Sequence, residues 1–169
     1  MKLVSPSIEF KDSFLDAAWY ISKEGNARFL KSYTVNFQAY CDALNNEAKG
    51  IGLAEGLIPQ TTFWLIDNGN FIGRLGIRHF LNDDLYKFGG HIGYVIAPQY
   101  RRRGYGTKIL ELSLKEAAKL GLQKVLVTCD NTNFASARII EKNGGVFENE
   151  MYNEETRVWK KRYWINVAG

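Results

Sequence analysis

The sequence predicts a mixed α/β fold: a mostly antiparallel central sheet with a parallel βαβ core, flanked by helices. Three observations lead there. Apolar residues recur at helical spacing over the first fifty residues. Two β-rich runs flank an Asp-Asn-Gly-Asn tetrapeptide at 67–70, and strand-like and helix-like segments alternate from about residue 91 to 145.

In chain order, Phe10, Phe14, Ala17 and Ile21 give a first helix its apolar stripe, and Phe37, Cys41, Leu44 and Ala48 do the same for a second. After "GLIPQ" the pattern changes to "TTFWLIDNGNFIGRLGIRHFL". Asp67-Asn68-Gly69-Asn70 divides it with residues that suit a tight reversal, so the two halves form an antiparallel hairpin. "HIGYVIAP" is a further strand, which stops at Pro98 because proline has no N–H for a central ladder. Leu110, Leu114, Ala117 and Gly121 then line one side of a helix, with Lys108, Glu111, Lys115 and Lys119 opposite. "KVLVTCD" carries the unbroken run Val125-Leu126-Val127, the mark of a strand covered on both faces in a parallel pair. "NFASARIIEKNGG" is a short helix with Asn133 as N-cap and Gly144 as stop. The tail "GGVFENEMYNEETRVWKKRYWI" is two strands joined through a polar Asn-Glu-Glu turn.

Composition narrows the function classes. A chain of 169 residues, 46% hydrophobic, fills one core, and without repeats or linkers residues 1–169 are expected to form a single domain. No apolar run approaches the roughly 20 residues needed to cross a bilayer, and "MKLVSPSIEF" lacks the apolar centre of a secretion signal. A cytoplasmic location with no membrane partner is expected. Cys41 and Cys129 have no companions at metal-site spacing, so both are expected reduced and buried, with no metal bound. The net charge of +4 is mild and the acidic residues are dispersed, which favours an anionic ligand over nucleic-acid coating.

"APQYRRRGYGTKIL" is where that anion belongs. Three arginines and a Gly-Tyr-Gly turn lie where a strand ends and a helix begins. The first turn of a helix leaves N–H groups without internal partners, and the macrodipole adds partial positive charge there. Gly104 and Gly106 let the backbone approach an anion, while Arg101, Arg102 and Arg103 add charge, so a pyrophosphate is the natural guest. A Walker loop would end in Gly-Lys-Ser/Thr, and a dinucleotide fingerprint would have glycine where Ile109 stands.

Arg101-x-x-Gly104-x-Gly106, after a strand ending in Pro98, resembles the coenzyme A pyrophosphate loop of the GNAT superfamily of acyl-CoA-dependent N-acyltransferases. The resemblance runs from about His91 to Gly145 and includes Asn133-x-x-Ser136 and Glu141-Lys142-Asn143-Gly144. It is most similar to the branch holding ribosomal-protein and small-molecule N-acetyltransferases. The resemblance implies acetyl-CoA as co-substrate, with the backbone of Tyr94, Val95 and Ile96 beside the pantetheine arm and residues 101–107, Tyr105 and Thr107 among them, around the pyrophosphate. It further implies that Asn133 bonds the pantetheine or a nearby main-chain group, and that Ser136 adds a ligand contact. Where many members carry a tyrosine that protonates the leaving thiolate, this chain has Ile140.

An amine must shed its proton before attacking a thioester, and a lysine-type ammonium has a pKa of about 10.4, so a base or water chain helps at neutral pH. "HIGYVIAP" holds no carboxylate; His91 is the first candidate base, His79 on the preceding strand the second, and Tyr94 the candidate acid. The leading reading is an N-acetyltransferase acting on the amine of a small molecule or a protein N-terminus, with a homodimer as an admissible assembly. Ile140 and the missing carboxylate support a second reading, an acyl-CoA-binding module without catalysis. A nucleic-acid binder stacking bases on Tyr100 and Tyr105 leaves the glycines and Asn133 unexplained. Asp83, Asp84, Glu148, Glu150, Glu154 and Glu155 suit a cationic acceptor, but such runs are equally solvated loops and turns, so a polyamine, an aminoglycoside, an amino acid and a protein N-terminus all stay open.

Overall fold

The computed structural model describes residues 1–24 and 36–167. Strands Lys2–Val4 (β1), Gln60–Asp67 (β2), Asn70–Arg78 (β3) and Ile92–Ile96 (β4) form one antiparallel sheet in the order β1-β2-β3-β4. Lys124–Asp130 (β5), Val146–Asn153 (β6) and Val158–Asn166 (β7) form a second, in the order β5-β7-β6. The helices are Lys11–Lys23 (α1), Phe37–Glu47 (α2), Tyr105–Lys119 (α3) and Phe134–Lys142 (α4).

Local chemistry sets most of these boundaries. Asn68 and Gly69 at the hairpin tip have φ of 47° and 78°, the left-handed pair that matches the twist of the strands they join. Asn36 caps α2 by accepting from the Ala39 N–H at 3.1 Å, and Asn133 caps α4 by accepting from the Ser136 N–H at 3.0 Å. Some details depart from the periodicity. Phe10 closes a 3-10 turn, Ile8–Phe10, ahead of α1. Gly121 lies past the end of α3, with φ of 81° two residues after Lys119, and serves as the left-handed stop. The segment around "NDDLYKFGG" holds a π turn at Leu85–Gly89.

Alternation on β2 separates two cores. Trp64 and Ile66 join Phe14, Phe37, Tyr40 and Phe71 beneath α1 and α2, whereas Leu65 points to the opposite face and joins Ile77, Ile92, Val125, Tyr163 and Ile165 beneath α3 and α4. Phe14 stacks on Trp64 with ring centroids 4.8 Å apart, and both are fully buried. Burial of each such ring contributes roughly 1.5–3 kcal/mol, which anchors α1 against the first sheet.

The parallel pairing expected from Val125-Leu126-Val127 is the main difference from the sequence reading. All three residues are buried, but the ladder of β5 runs antiparallel to β7, with Val125 opposite Ile165 and Val127 opposite Tyr163. The side chains of β4 and β5 share one core, but their backbone hydrogen bonding narrows to the residue before β4, where the His91 N–H donates to the Leu126 carbonyl at 2.7 Å. Gly90 permits that approach: its φ is 67°, and a Cβ there would lie 2.5 Å from the Leu126 oxygen. Beyond this junction β4 has, among the described residues, a ladder partner on one edge only, and the other edge is open.

Candidate functional site

The open edge of β4 forms one wall of a cleft of about 760 Å³, and the start of α3 and one face of α4 form the others. Tyr94, Val95 and Ile96 line it from β4; Arg101, Arg102, Gly104, Gly106 and Thr107 from the turn and α3; Asn133 and Ser136 from α4. Residues distant in sequence and singled out by pattern are thus gathered around one space. Arg103 and Tyr105 do not line it. Tyr105 instead donates to Asp67 at 2.8 Å, and this bond holds the Asp67 carboxyl below, and the phenol above, its usual range.

Backbone geometry prepares the turn for an anion. Arg102 and Gly104 have φ of 61° and 83°, and Gly104, the N-cap of α3, supplies no side-chain bond to the first amides of the helix. Those N–H groups are left for water or a ligand, at the positive end of a helix of 15 residues. Gly106, which lines the cleft as its sequence position suggests, also lies close to α4: a Cβ there would meet Ile139 Cδ1 at 2.6 Å. Asn143 ties the same two helices, donating to the Thr107 and Ile139 carbonyls at 3.3 and 2.8 Å. Arg101 lines the cleft and is also bonded to the protein. Its Nε donates to the Ile96 carbonyl at 3.1 Å, and both terminal nitrogens engage Glu24, at 2.8 and 2.7 Å.

The other end of the cleft carries hydroxyls. The Tyr94 phenol and the Ser136 hydroxyl are 3.0 Å apart, linking β4 to α4. Burial pushes the phenol up to about 12 against the opposing pull of the Ser136 bond, so it holds its proton throughout the physiological range. Ile140 is fully buried in the second core and presents nothing to the cleft. Ala135, Arg138, Ile139 and Lys142 also line the cleft and were not anticipated. The available signal was the spacing of Arg138 and Lys142, four apart on a short helix and therefore on one face.

Neither histidine lines the cleft. The Nε2 atom of His79 is 2.8 Å from Thr61 Oγ1. His91 is buried, and its Nδ1 accepts the Leu126 N–H at 2.9 Å, so the ring takes the place of a missing ladder acceptor where the sheets part. That bond requires an unprotonated Nδ1, and burial together with nearby Arg78 lowers the ring's pKa from its usual value. A lowered folded pKa contributes stability that is present above the unfolded value of about 6.5 and lost as pH falls through the folded one. His91→Asn, whose Oδ1 can replace Nδ1 as acceptor, is therefore expected to fall less in melting temperature than the wild type between pH 7 and 5. Thermal melts across that range check it, and parallel curves would exclude the titration.

Among the described residues no group of histidine, cysteine or carboxylate side chains could hold a metal, and no helix is long and apolar enough to cross a membrane. The sequence model of the acetyltransferase (GNAT) domain matches residues 13–146. No curated protein matches the sequence significantly. Among solved structures, an acetyltransferase of the GNAT family from Streptococcus pneumoniae superposes with a TM-score of 0.61 at 18% identity, covering 99% of this chain and 100% of that one. Spermidine N-acetyltransferase SpeG from Vibrio cholerae, in a mutant form, gives 0.62 at 17% identity over 99% and 95% of the two chains. The microcin C7 self-immunity acetyltransferase MccE, solved with acetyl-CoA and AMP, gives 0.66 at 12% identity over 98% and 91%. At these identities the likeness is one of fold.

Proposed function

The chain belongs to the GNAT acetyltransferase family, and on that premise we propose that it is a single-domain, cytoplasmic N-acetyltransferase that moves the acetyl group of acetyl-CoA to an amine by direct attack. The observation that carries the reading is the joining, in one cleft, of an uncapped helix N-terminus with the open edge of β4. The first suits a diphosphate, and the second offers unpaired main-chain donors and acceptors to an amide-bearing arm. Acetyl-CoA bound by MccE, which shares the fold, supports the choice of ligand.

In this reading the turn at 102–107 holds the diphosphate mainly through main-chain N–H groups, with Arg102 adding charge. Arg101 acts through its ties to Ile96 and Glu24, which hold the turn in shape. Asn133 positions the first turn of α4 by capping it, and a β4 N–H stabilises the oxyanion that develops as the amine attacks. The C–N bond forms and the C–S bond breaks. The Tyr94 and Ser136 hydroxyl pair gives a proton to the leaving thiolate, in place of the residue that Ile140 replaces. Among the described residues no carboxylate or imidazole lines the cleft, and in this reading the proton of the attacking amine passes to water. His91 has its Nδ1 occupied and positions the junction of the sheets; His91→Asn is expected to keep turnover within about threefold, against the hundredfold or more that loss of a general base costs.

Two assays test the proposal. Coenzyme A is expected to raise the melting temperature well above the effect of NAD or ATP at equal concentration, because a ligand selective for the native state stabilises it by mass action. Equal stabilisation by ATP would reduce the turn to a generic phosphate trap. Acetyl-CoA with a panel of amines is expected to release free thiol in step with acetylated product. Binding without release would favour an acyl-CoA-binding module without turnover, the reading that the buried Ile140 supports. Glu148 is paired with buried Arg162, but the acidic residues at 83, 84, 150, 154 and 155 are exposed, which directs the panel first to polyamines and other cationic acceptors.

A further inference from the structure

We propose that Arg162 is the seat for a carboxylate on the acceptor, and that the protein thereby selects amines that carry a carboxylate, as an amino acid does, over the same amines without one. The inference rests on the acetyltransferase reading above and narrows its acceptor. Arg162 lies within β7 and is 3% exposed, yet among the described residues its buried Nε and Nη2 atoms have no hydrogen-bond partner. Buried donors of a charged group are costly to leave unmatched, so two on one side chain call for an occupant.

Only the remaining corner of the guanidinium is engaged. In β6, Phe147 stands opposite Tyr163 and Asn149 opposite Arg162, which leaves Glu148 as the extra residue of a bulge. Bulges re-aim side chains, and this one brings both Glu148 and Asn149 to Arg162 Nη1, at 2.8 and 3.0 Å. The Tyr86 ring lies 4.8 Å from the guanidinium carbon and packs on the group without bonding it. Because the guanidinium is planar, holding Nη1 on the β6 side aims the opposite edge, with Nε–H and an Nη2–H side by side, away from β6 and toward β5. Two parallel donors of this kind match the two oxygens of one carboxylate. Glu148 supplies a counter-charge but reaches only Nη1, so the edge is short of acceptor atoms rather than of negative charge.

That edge faces the region where transfer is to occur. Thr128 of β5 is opposite Arg162 in the ladder and on the same face, and its hydroxyl donates to the Phe88 carbonyl at 2.8 Å, so the turn at Leu85–Gly89 roofs this face. The next β5 residue, Cys129, joins the core on the other face and is close enough to act on the Tyr94 phenol. An acceptor with its carboxylate on Arg162 therefore approaches β4 from the face opposite the Tyr94 and Ser136 pair. A site built to bond one polar group rejects the analogue that lacks it, because its own buried donors are then left unmatched. A cationic amino acid meets this requirement and also suits the exposed acidic residues nearby in the chain.

Free lysine and cadaverine, which differ only in the carboxylate, test the seat on the full chain. Wild type is expected to acetylate lysine with a kcat/KM at least about tenfold that for cadaverine. Arg162→Lys keeps the charge but has no fork, and its ratio is expected to fall to about one. In wild type with coenzyme A bound, the Arg162 Nε–H resonance is expected to shift on addition of lysine and to stay in place with cadaverine, a readout that does not depend on the variant folding. A wild-type ratio of one or less, a ratio that survives Arg162→Lys, or a resonance unmoved by lysine overturns the carboxylate seat, the last by leaving the edge to a buried water. If neither amine is acetylated, the resonance alone decides the seat. Failure of wild type to bind coenzyme A overturns the acetyltransferase reading separately, and the same titration of the free protein then decides whether Arg162 takes a carboxylate.

Discussion

Gly104→Asp is expected to weaken coenzyme A binding at least tenfold, about 1.4 kcal/mol, in a protein that remains folded. Gly104 is the N-cap of α3 at φ of 83°, with nothing within 4 Å of the position a Cβ would take. Aspartate is among the few residues other than glycine that visit this conformation, at a cost of roughly 1–2 kcal/mol. Its carboxylate, however, is a natural N-cap: it would take up the α3 amides left open in the wild type and place a negative charge where the diphosphate is to sit. Gly104→Ala carries the strain without the charge and is expected to bind appreciably better than the aspartate variant. Calorimetry on both separates the two contributions. Undiminished affinity in a folded Gly104→Asp protein would remove the turn from the ligand site.

Tyr94→Phe is expected to lower kcat about a hundredfold, the low end of the range for losing a general acid, with little change in coenzyme A affinity. The low end applies because a thiol of pKa about 8.5 already leaves tolerably well as an anion. With the phenol at about 12, the wild-type rate is expected to rise with pH as the amine loses its proton and to show no fall from this group below about pH 10. Ser136→Ala removes the 3.0 Å partner of the phenol and is expected to have a smaller effect if Tyr94 itself delivers the proton. A larger effect at Ser136 would transfer the role to the serine, and full turnover in both variants would leave protonation to water.

Gly104 and Gly106 both line the cleft, and a second contact of Gly106 marks how far the turn could be read in advance. Both were expected to clear a path for an anion. The helix start and the Gly104 conformation follow from local backbone rules, so they were legible. The Gly106 contact with Ile139 depends on where α4 packs, which no local rule contains. Arg101 is similar: its charge was evident, but Glu24, 77 positions away in the chain, determines that the charge is spent on an ion pair.

His91 was the stronger candidate base on residue type alone, as the titratable side chain beside the central strand. Its Nδ1 proved to be the acceptor for Leu126, 35 residues on, because the two sheets separate at that point and an amide at the edge needs a partner. The unbroken Val125-Leu126-Val127 run announced burial on both faces, yet burial specifies no ladder partner, and the antiparallel match to β7 came from the tail of the chain.

Alone, the sequence determined the order of the helices and of the strands after β1, the hairpin at 67–70, the caps at Asn133 and Gly144, and the strand-to-helix turn with its surplus of positive charge; β1 at Lys2–Val4 was not legible. These depend on periods of two and 3.6 residues and on backbone preferences acting within a few positions. Only the tertiary structure decided that the sheet is split, that among the described residues the split leaves β4 an open edge, and that Tyr94 meets Ser136 across the cleft. Those features arise from distances between groups dozens of residues apart. Such distances are set by how the two cores pack, which is why the residues that give the cleft its chemistry were visible in the sequence but their pairings were not.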